Sequence, residues 1–283
     1  MLCAAACTRS NRSWVDRVEV DAFEGGEVIS LSEEQLHAQL VAKLEAAKFL
    51  VASDGKKPPA DAKPWRVKLG AGLTEPDIEH HTAFVAVVLE VRHTGDAEPF
   101  SLDSRRQVKA PQANEVESMQ NAIRDALDEA LGLVVRESAA LISLDGANDV
   151  TLVGKLKDAD PAVRDASVRL LVRRQHKAAL PVLLGRLTGD DLNALRGAIG
   201  LLVELRAPEA VNPLVEAASQ RGLEFQREVV FAIGAIGGDD AEAYLDLVVS
   251  GHEDPLVRAS AEQALAELRA RKSKQKSPQG EPR

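Results

Sequence analysis

Asp160-Pro161-Ala162-Val163-Arg164 and Asp254-Pro255-Leu256-Val257-Arg258 are near copies, and each leads into an alanine- and leucine-rich stretch. The first continues through Ala166, Val168, Leu170 and Leu171, the second through Ala259, Ala261, Ala264, Leu265 and Leu268. Between them the frame recurs in weaker form, without the proline, as Asp190-Asp191-Leu192-Asn193-Ala194-Leu195-Arg196 and Glu224-Phe225-Gln226-Arg227. Its arginines, Arg164, Arg196, Arg227 and Arg258, are spaced by 32, 31 and 31. A second landmark, Ala147, Ala178, Ala210 and Ala241, is spaced by 31, 32 and 31. Two landmarks with a shared period of about 31 residues predict stacked helix pairs, a solenoid in which each pair buries its apolar face on the next.

Each unit has a physical logic. Asp160 and Asp254 can accept from the free amides at a helix start, and Pro161 suits the first helical position because it has no N–H to leave unpaired. An arginine one turn later sits at the positive end of its own helix, where the macrodipole disfavours it. A carboxylate between successive arginines would hold it there. The expectation is therefore a structural ladder along the spine, built from Arg164, Arg196, Arg227 and Arg258 with Asp160 and Asp254; the alternative is four solvated surface arginines. The second helix of each unit is phased as well, through Pro181, Pro213 and Tyr244, with Leu180, Leu183, Leu184 and Leu187 at helical spacing. Counting back one period from Pro181 places a second-type helix near Asn148 at the start of the array.

These segments resemble HEAT repeats, particularly the short variety called PBS-lyase HEAT-like, over roughly Ala147 to Arg269. The resemblance implies an all-α HEAT-like solenoid that presents an extended surface to a protein partner. HEAT-like repeats also occur in bilin lyases, which resemble this chain in the repeat alone.

The first half has another architecture. Val18, Val20 and Ala22 alternate in one predicted strand; Trp65, Val67, Leu69, Ala71 and Leu73 in a second; Ala83, Val85, Val87, Leu89 and Val91 in a third. Phe100, Leu102 and Ser104 suggest a fourth. Ser32 and Gln35 make a capping box before a helix whose stripe is Leu36, Leu40 and Leu44. A long helix follows from about Asn114, with Val116, Met119, Ile123, Leu127 and Leu131 inward. The order β-α-β-β-β-α predicts an α+β N-terminal module, a small antiparallel sheet with two helices. In element order and length it looks like the compact modules of bacterial envelope lipoproteins, such as penicillin-binding-protein activators and the curli-secretion type.

Met1-Leu2-Cys3-Ala4-Ala5-Ala6-Cys7 resembles the end of a bacterial lipoprotein signal peptide, where small residues precede a lipidated cysteine. That resemblance implies lipidation at Cys7 and a membrane anchor. No basic n-region precedes it, so export implies a start codon upstream of Met1. The expected organisation is residues 1–11 as signal-peptide remnant and lipid-anchor segment, 12–146 as α+β module, 147–270 as HEAT-like solenoid and 271–283 as a disordered basic tail. Both cysteines lie in the first seven residues, which excludes disulfides and thiol catalysis from the rest.

Charge argues against nucleic acid. Thr8 to Asn148 carries 16 basic and 24 acidic residues, and Asp149 to Leu268 carries 13 and 19; only the stretch from Arg269, with 6 and 1, is basic. Glu79-His80-His81 with His93 is the one concentration of histidines, and its members do not converge as metal ligands must. Gly234, Gly237 and Gly238 mark a helix end, not a phosphate loop. The sequence thus points to no catalytic residues, metal site or cofactor. It reads as a non-catalytic adaptor or scaffold lipoprotein of the bacterial cell envelope, in the periplasm and anchored to a membrane, the outer one first. The alternative is a cytoplasmic HEAT-repeat adaptor for protein–protein interaction.

Overall fold

Alternating apolar and polar residues force the first half of the chain into a sheet, and a 3.6-residue period forces the second into helices. The computed structural model describes residues 13–23, 29–52, 64–77, 82–94, 96, 98–109 and 116–276; Cys7 and Glu79-His80-His81 lie outside them. The chain divides into two compact units, one of residues 1–146 with 160–166, the other of residues 147–159 with 167–283.

The first unit runs β1 (Trp14–Val20), α1 (Glu33–Ala46), β2 (Leu50–Val51), β3 (Trp65–Asp77), β4 (Thr82–His93), β5 (Phe100–Lys109) and α2 (Val116–Leu144). The strands lie in the order β2-β1-β3-β4-β5. β3, β4 and β5 form an antiparallel meander, but β1 is parallel to both β2 and β3. The sheet is therefore mixed where the sequence suggested an antiparallel one. The reason is β2: parallel neighbours need a crossover, which α1 supplies, and two residues are too few to show alternation. A second correction concerns β1. Its pairing with β3 shifts register between Val15 and Arg17, so the buried residues are the adjacent Trp14 and Val15, while Val18 and Val20 are half-buried and Ala22 is exposed. A bulge changes which side chains face the core.

Elsewhere the alternation holds except toward the end of β3, where Ala71 and Leu73, expected inward, are only half-buried. Ala83, Val85, Val87, Leu89 and Val91 are all buried, as are Val67, Leu69, Phe100 and Leu102. Ser32 closes a capping box on α1: its Oγ accepts from Gln35 N at 3.2 Å and its N–H donates to Gln35 Oε1 at 2.9 Å. Leu36, Leu40 and Leu44 are fully buried beneath it. α2 buries Ile123, Leu127 and Leu131, with Lys43 of α1 reaching Asp128 at 2.7 Å.

The helical unit comprises α3 (Asp149–Lys155), α4 (Pro161–Arg173), α5 (Leu180–Arg186), α6 (Leu192–Glu204), α7 (Val211–Ser219), α8 (Leu223–Ile236), α9 (Asp239–Gly251) and α10 (Pro255–Lys276); the first turns of α4 belong to the other unit. α4, α6, α8 and α10 are first helices of their repeats, and α3, α5, α7 and α9 are second helices. The turns that close α4, α6 and α8 have a left-handed residue at Gln175, Arg206 and Gly237, with φ 55°, 47° and 77°, and the last adds Gly238 at φ 98°. These positions stand one repeat period apart. After Gln175 and Arg206, the N–H groups of His176 and Ala207 reach back to Leu171 O and Leu202 O, at 2.8 and 3.2 Å. That is the six-to-one closure by which a helix ends and reverses. Buried alanines follow at Ala179, Ala210 and Ala241. The packed row passes through Ala179 instead of the predicted Ala178, which is half-buried.

α6 packs on α8, and α8 on α10. The closest approach is at Gly234, where an added Cβ would stand 2.8 Å from Ala264 Cβ. Glycine is needed there for proximity, whereas Gly237 is needed for its turn.

The C-terminus differs from expectation. Residues 271–276, assigned to the disordered tail, instead continue α10 through Lys276. Neighbouring carboxylates and carbonyls hold it. Arg269 donates to Glu242 Oε1 at 2.9 Å and Asp246 Oδ2 at 2.6 Å, and Lys272 to Glu242 Oε2 at 2.6 Å and Asp239 Oδ1 at 3.0 Å. Arg271 donates to Gly234 O, one of the last carbonyls of α8. Hydrogen bonds from Lys272 first and Arg269 second hold the Glu242 carboxyl far below its ordinary 4.5, at about 2.

Two outcomes follow. Gly→Ala within a helix ordinarily gains about 1 kcal/mol, but Gly234→Ala should destabilise by about 1–2 kcal/mol through overpacking against α10. The double variant G234A/A264G should recover most of the loss, read from denaturant midpoints. The second concerns acid. Glu242 titrates lower folded than unfolded, so its contribution is complete above pH 4.5 and is lost as the pH falls toward about 2. Thermal melts across that window should fall more steeply for the parent than for Glu242→Gln, which should already melt lower at neutral pH.

Candidate interaction surface

The phased residues of the helical unit take three different roles. Asp160 and Asp254 are caps: Asp160 Oδ1 accepts from Ala162 N at 3.0 Å, and Asp254 Oδ1 from Leu256 N and Val257 N at 2.8 and 3.0 Å. Asp191 does the same for Asn193 and Ala194. Gly222 holds the equivalent place before α8 with no side-chain cap.

The arginines reach forward or turn back. Arg196 donates from Nε and Nη2 to the two oxygens of Glu228, at 2.8 and 2.7 Å, a two-pronged bond from α6 to α8. That bond raises the Arg196 pKa further above its ordinary value. Arg227 donates to Ser260 Oγ at 3.0 Å, from α8 to α10, and Ser260 Oγ in turn donates to Leu256 O. Arg258, in the last first helix, turns back to His252 O and Glu253 O. Arg164 opens α4, its N–H donating to Asp160 O at 3.1 Å. The spine is thus a set of steps with different acceptors, a carboxylate and then a hydroxyl, and its bonds from α6 to α8 and from α8 to α10 run to Glu228 and Ser260. Those acceptors lie 32 and 33 residues beyond their donors, one and two residues past the place where a 31-residue step lands.

Other ties also join neighbouring repeats. Lys177 reaches Glu209 at 3.2 Å, Arg221 donates to Gly189 O at 2.9 Å, and Gln175 to Glu204 O at 3.0 Å. These residues do architecture and leave the chemistry of the surface to what projects beyond them. Leu192, Leu223 and Leu256, at the openings of α6, α8 and α10, stay exposed.

The described residues of the first unit hold one histidine contact and one cavity of note. His93 Nε2 lies 3.0 Å from Asp145 Oδ2, with its ring 3.6 Å from that of Trp65. A cavity of about 380 Å³ is lined by Asp16, Arg17, His37, Val41, Glu45 and Val51. Among the described residues no three His, Cys, Asp or Glu side chains are grouped to hold a metal ion, and no helix is long and apolar enough to cross a membrane.

A family comparison agrees with the helical architecture of part of the second unit. Residues 150–222 match the family model described as HEAT repeats. No curated protein matches the chain. Among solved structures, the crystal structure of an uncharacterized protein is 13% identical, covering 45% of this chain and 92% of its own, with a TM-score of 0.32. The hypothetical protein CT253 from Chlamydia trachomatis is 12% identical over 44% of this chain and 98% of its own, with a TM-score of 0.27. Within the helical unit, the similarity to HEAT repeats thus spans residues 150–222.

A two-pronged pair about one-third exposed on each side should contribute about 1 kcal/mol. Arg196→Ala should lower stability by that amount, and Arg196→Lys by less, since it keeps the charge and loses the fork. A double-mutant cycle with Glu228→Ala checks it; zero coupling would mean a solvated arginine.

Proposed function

We propose that this protein is a non-catalytic adaptor or scaffold lipoprotein of the bacterial cell envelope, holding a protein partner on its HEAT-repeat surface. The observation that carries the reading is the run of HEAT repeats itself, a class of structure that serves protein interaction. Its phased polar groups are spent on caps and on ties between repeats. The net charge of −9 supports a protein partner over a phosphate backbone. Cys7 is the lipidation site in this reading, and two acyl chains on it suffice for stable anchoring where one is marginal.

Expressed from the genomic locus with any in-frame codons upstream of Met1 included, the parent should sediment with membranes and Cys7→Ser should move to the soluble fraction. Equal solubility of the two forms would remove the anchor and favour the cytoplasmic adaptor. Photo-crosslinkers placed around the helical unit should trap a protein in either compartment, and trapping none would sink the scaffold reading.

A further inference from the structure

We propose that the open edge of β1 takes up an extended segment of a partner protein, which adds a strand to the sheet where β2 stops. The site lies in the first unit, so it goes beyond the HEAT-repeat reading and does not depend on it. β1 has seven residues, Trp14–Val20, but β2 has two, Leu50–Val51, and pairs only with Trp14 and Val15. Leu50 N donates to Ser13 O at 3.0 Å and Ala52 N to Val15 O at 2.8 Å, so Ser13 and Val15 turn their carbonyls toward β2. Past the bulge, Asp21 N donates to Leu69 O of β3 at 2.8 Å. Main-chain groups alternate sides along a strand. Glu19 and Arg17 therefore also point to β3, and Val18 and Val20 point to the side of β2. Among the described residues no strand lies on that side beyond Val51. The N–H and C=O groups of Val18 and Val20 stand as an open ladder, the template for an added strand.

Room for the side chains of that strand lies in the same place. The cavity of about 380 Å³ is lined by Val18 of β1, by Val51 and Ala52 at the end of β2, and by His37, Val41 and Glu45 of α1. The three α1 residues are four apart and share one face of the helix. α1 packs over β1 and β2, so alternate side chains of the guest turn toward it and meet Val18, Val41 and Val51. The others face water. Main-chain pairing selects an extended segment of any sequence, and the valine-lined cavity selects apolar residues at every second position of it.

The test uses the full chain and a labelled peptide of about seven residues, a usual strand length, with valine or leucine at alternate positions and threonine between. Fluorescence anisotropy should show saturable binding. Two N-methylated forms, one for each set of alternate amides, should differ: one loses binding and the other keeps it, because only one set faces β1. Val18→Pro removes an outward N–H at an edge, where proline is tolerated, and should weaken binding about three- to tenfold, the worth of one hydrogen bond. Val41→Trp fills the cavity from α1 and should abolish binding with β1 untouched. Val88→Ser, on the opposite face of the sheet at 38% exposure, should leave it unchanged. Melting curves identify the folded variants; where Val18→Pro does not fold, Val41→Trp and the methylated peptides decide. Absence of binding, equal effects of the two methylations, or equal binding by the parent and folded Val41→Trp would each overturn the edge site. A dimer in sedimentation that Val18→Pro dissociates would give the edge to a second copy of this chain and overturn the partner. None of these results bears on the HEAT-repeat reading, which is tested by crosslinking on the helical unit.

Discussion

A pair of short amphipathic helices cannot bury its apolar face alone, and the helical half of this protein follows from that constraint. α6 must lie on α8, and α8 on α10, before Leu195, Leu202, Val229, Ile233, Ala261 and Leu265 leave water. The chain meets the constraint by closing each first helix with a left-handed residue at Gln175, Arg206 and Gly237. Two of these three are not glycine, so the turns carry a steric cost that the packing around them must offset.

The polar ties between repeats are secondary to this packing. Arg196 and Glu228 make a well-formed pair, but each remains about one-third in water, where ion pairs contribute little. Arg227 turning to Ser260 shows that the position tolerates an uncharged acceptor. What the arginines supply is register, a donor placed so that one neighbouring repeat satisfies it. The same economy appears at the C-terminus. A basic segment that would be solvated in isolation becomes helix because Glu242, Asp246 and Asp239 lie within reach of Arg269 and Lys272.

Function in such a molecule belongs to what the architecture leaves over. Asp160, Asp191 and Asp254 are consumed by helix starts, Gln175 and Arg221 by carbonyls of the neighbouring repeat. The exposed leucines near the starts of α6, α8 and α10, Leu192, Leu223 and Leu256, satisfy none of these needs.

By itself the sequence determined the division of the chain into a sheet-forming half and a helical half, the repeat period, the helix caps and the capping box at Ser32 and Gln35. These are local properties, set by residue spacing and by side chains that reach only a few positions along the chain. Alternation gave the buried face of β4 at once, from Ala83 to Val91. Tertiary structure decided what depends on contacts between distant segments. The parallel pairing of β1 with β2 and β3 arises from a two-residue strand with no periodicity of its own, and the inward turn of Trp14 and Val15 from a bulge against β3. Ala179 replaced Ala178 in the packed row because the phase of a landmark is legible to within a residue, whereas its facing is set by the helix against it. Arg196 announced itself by its spacing; its acceptor, Glu228, became recognisable only when the next repeat was laid beside it.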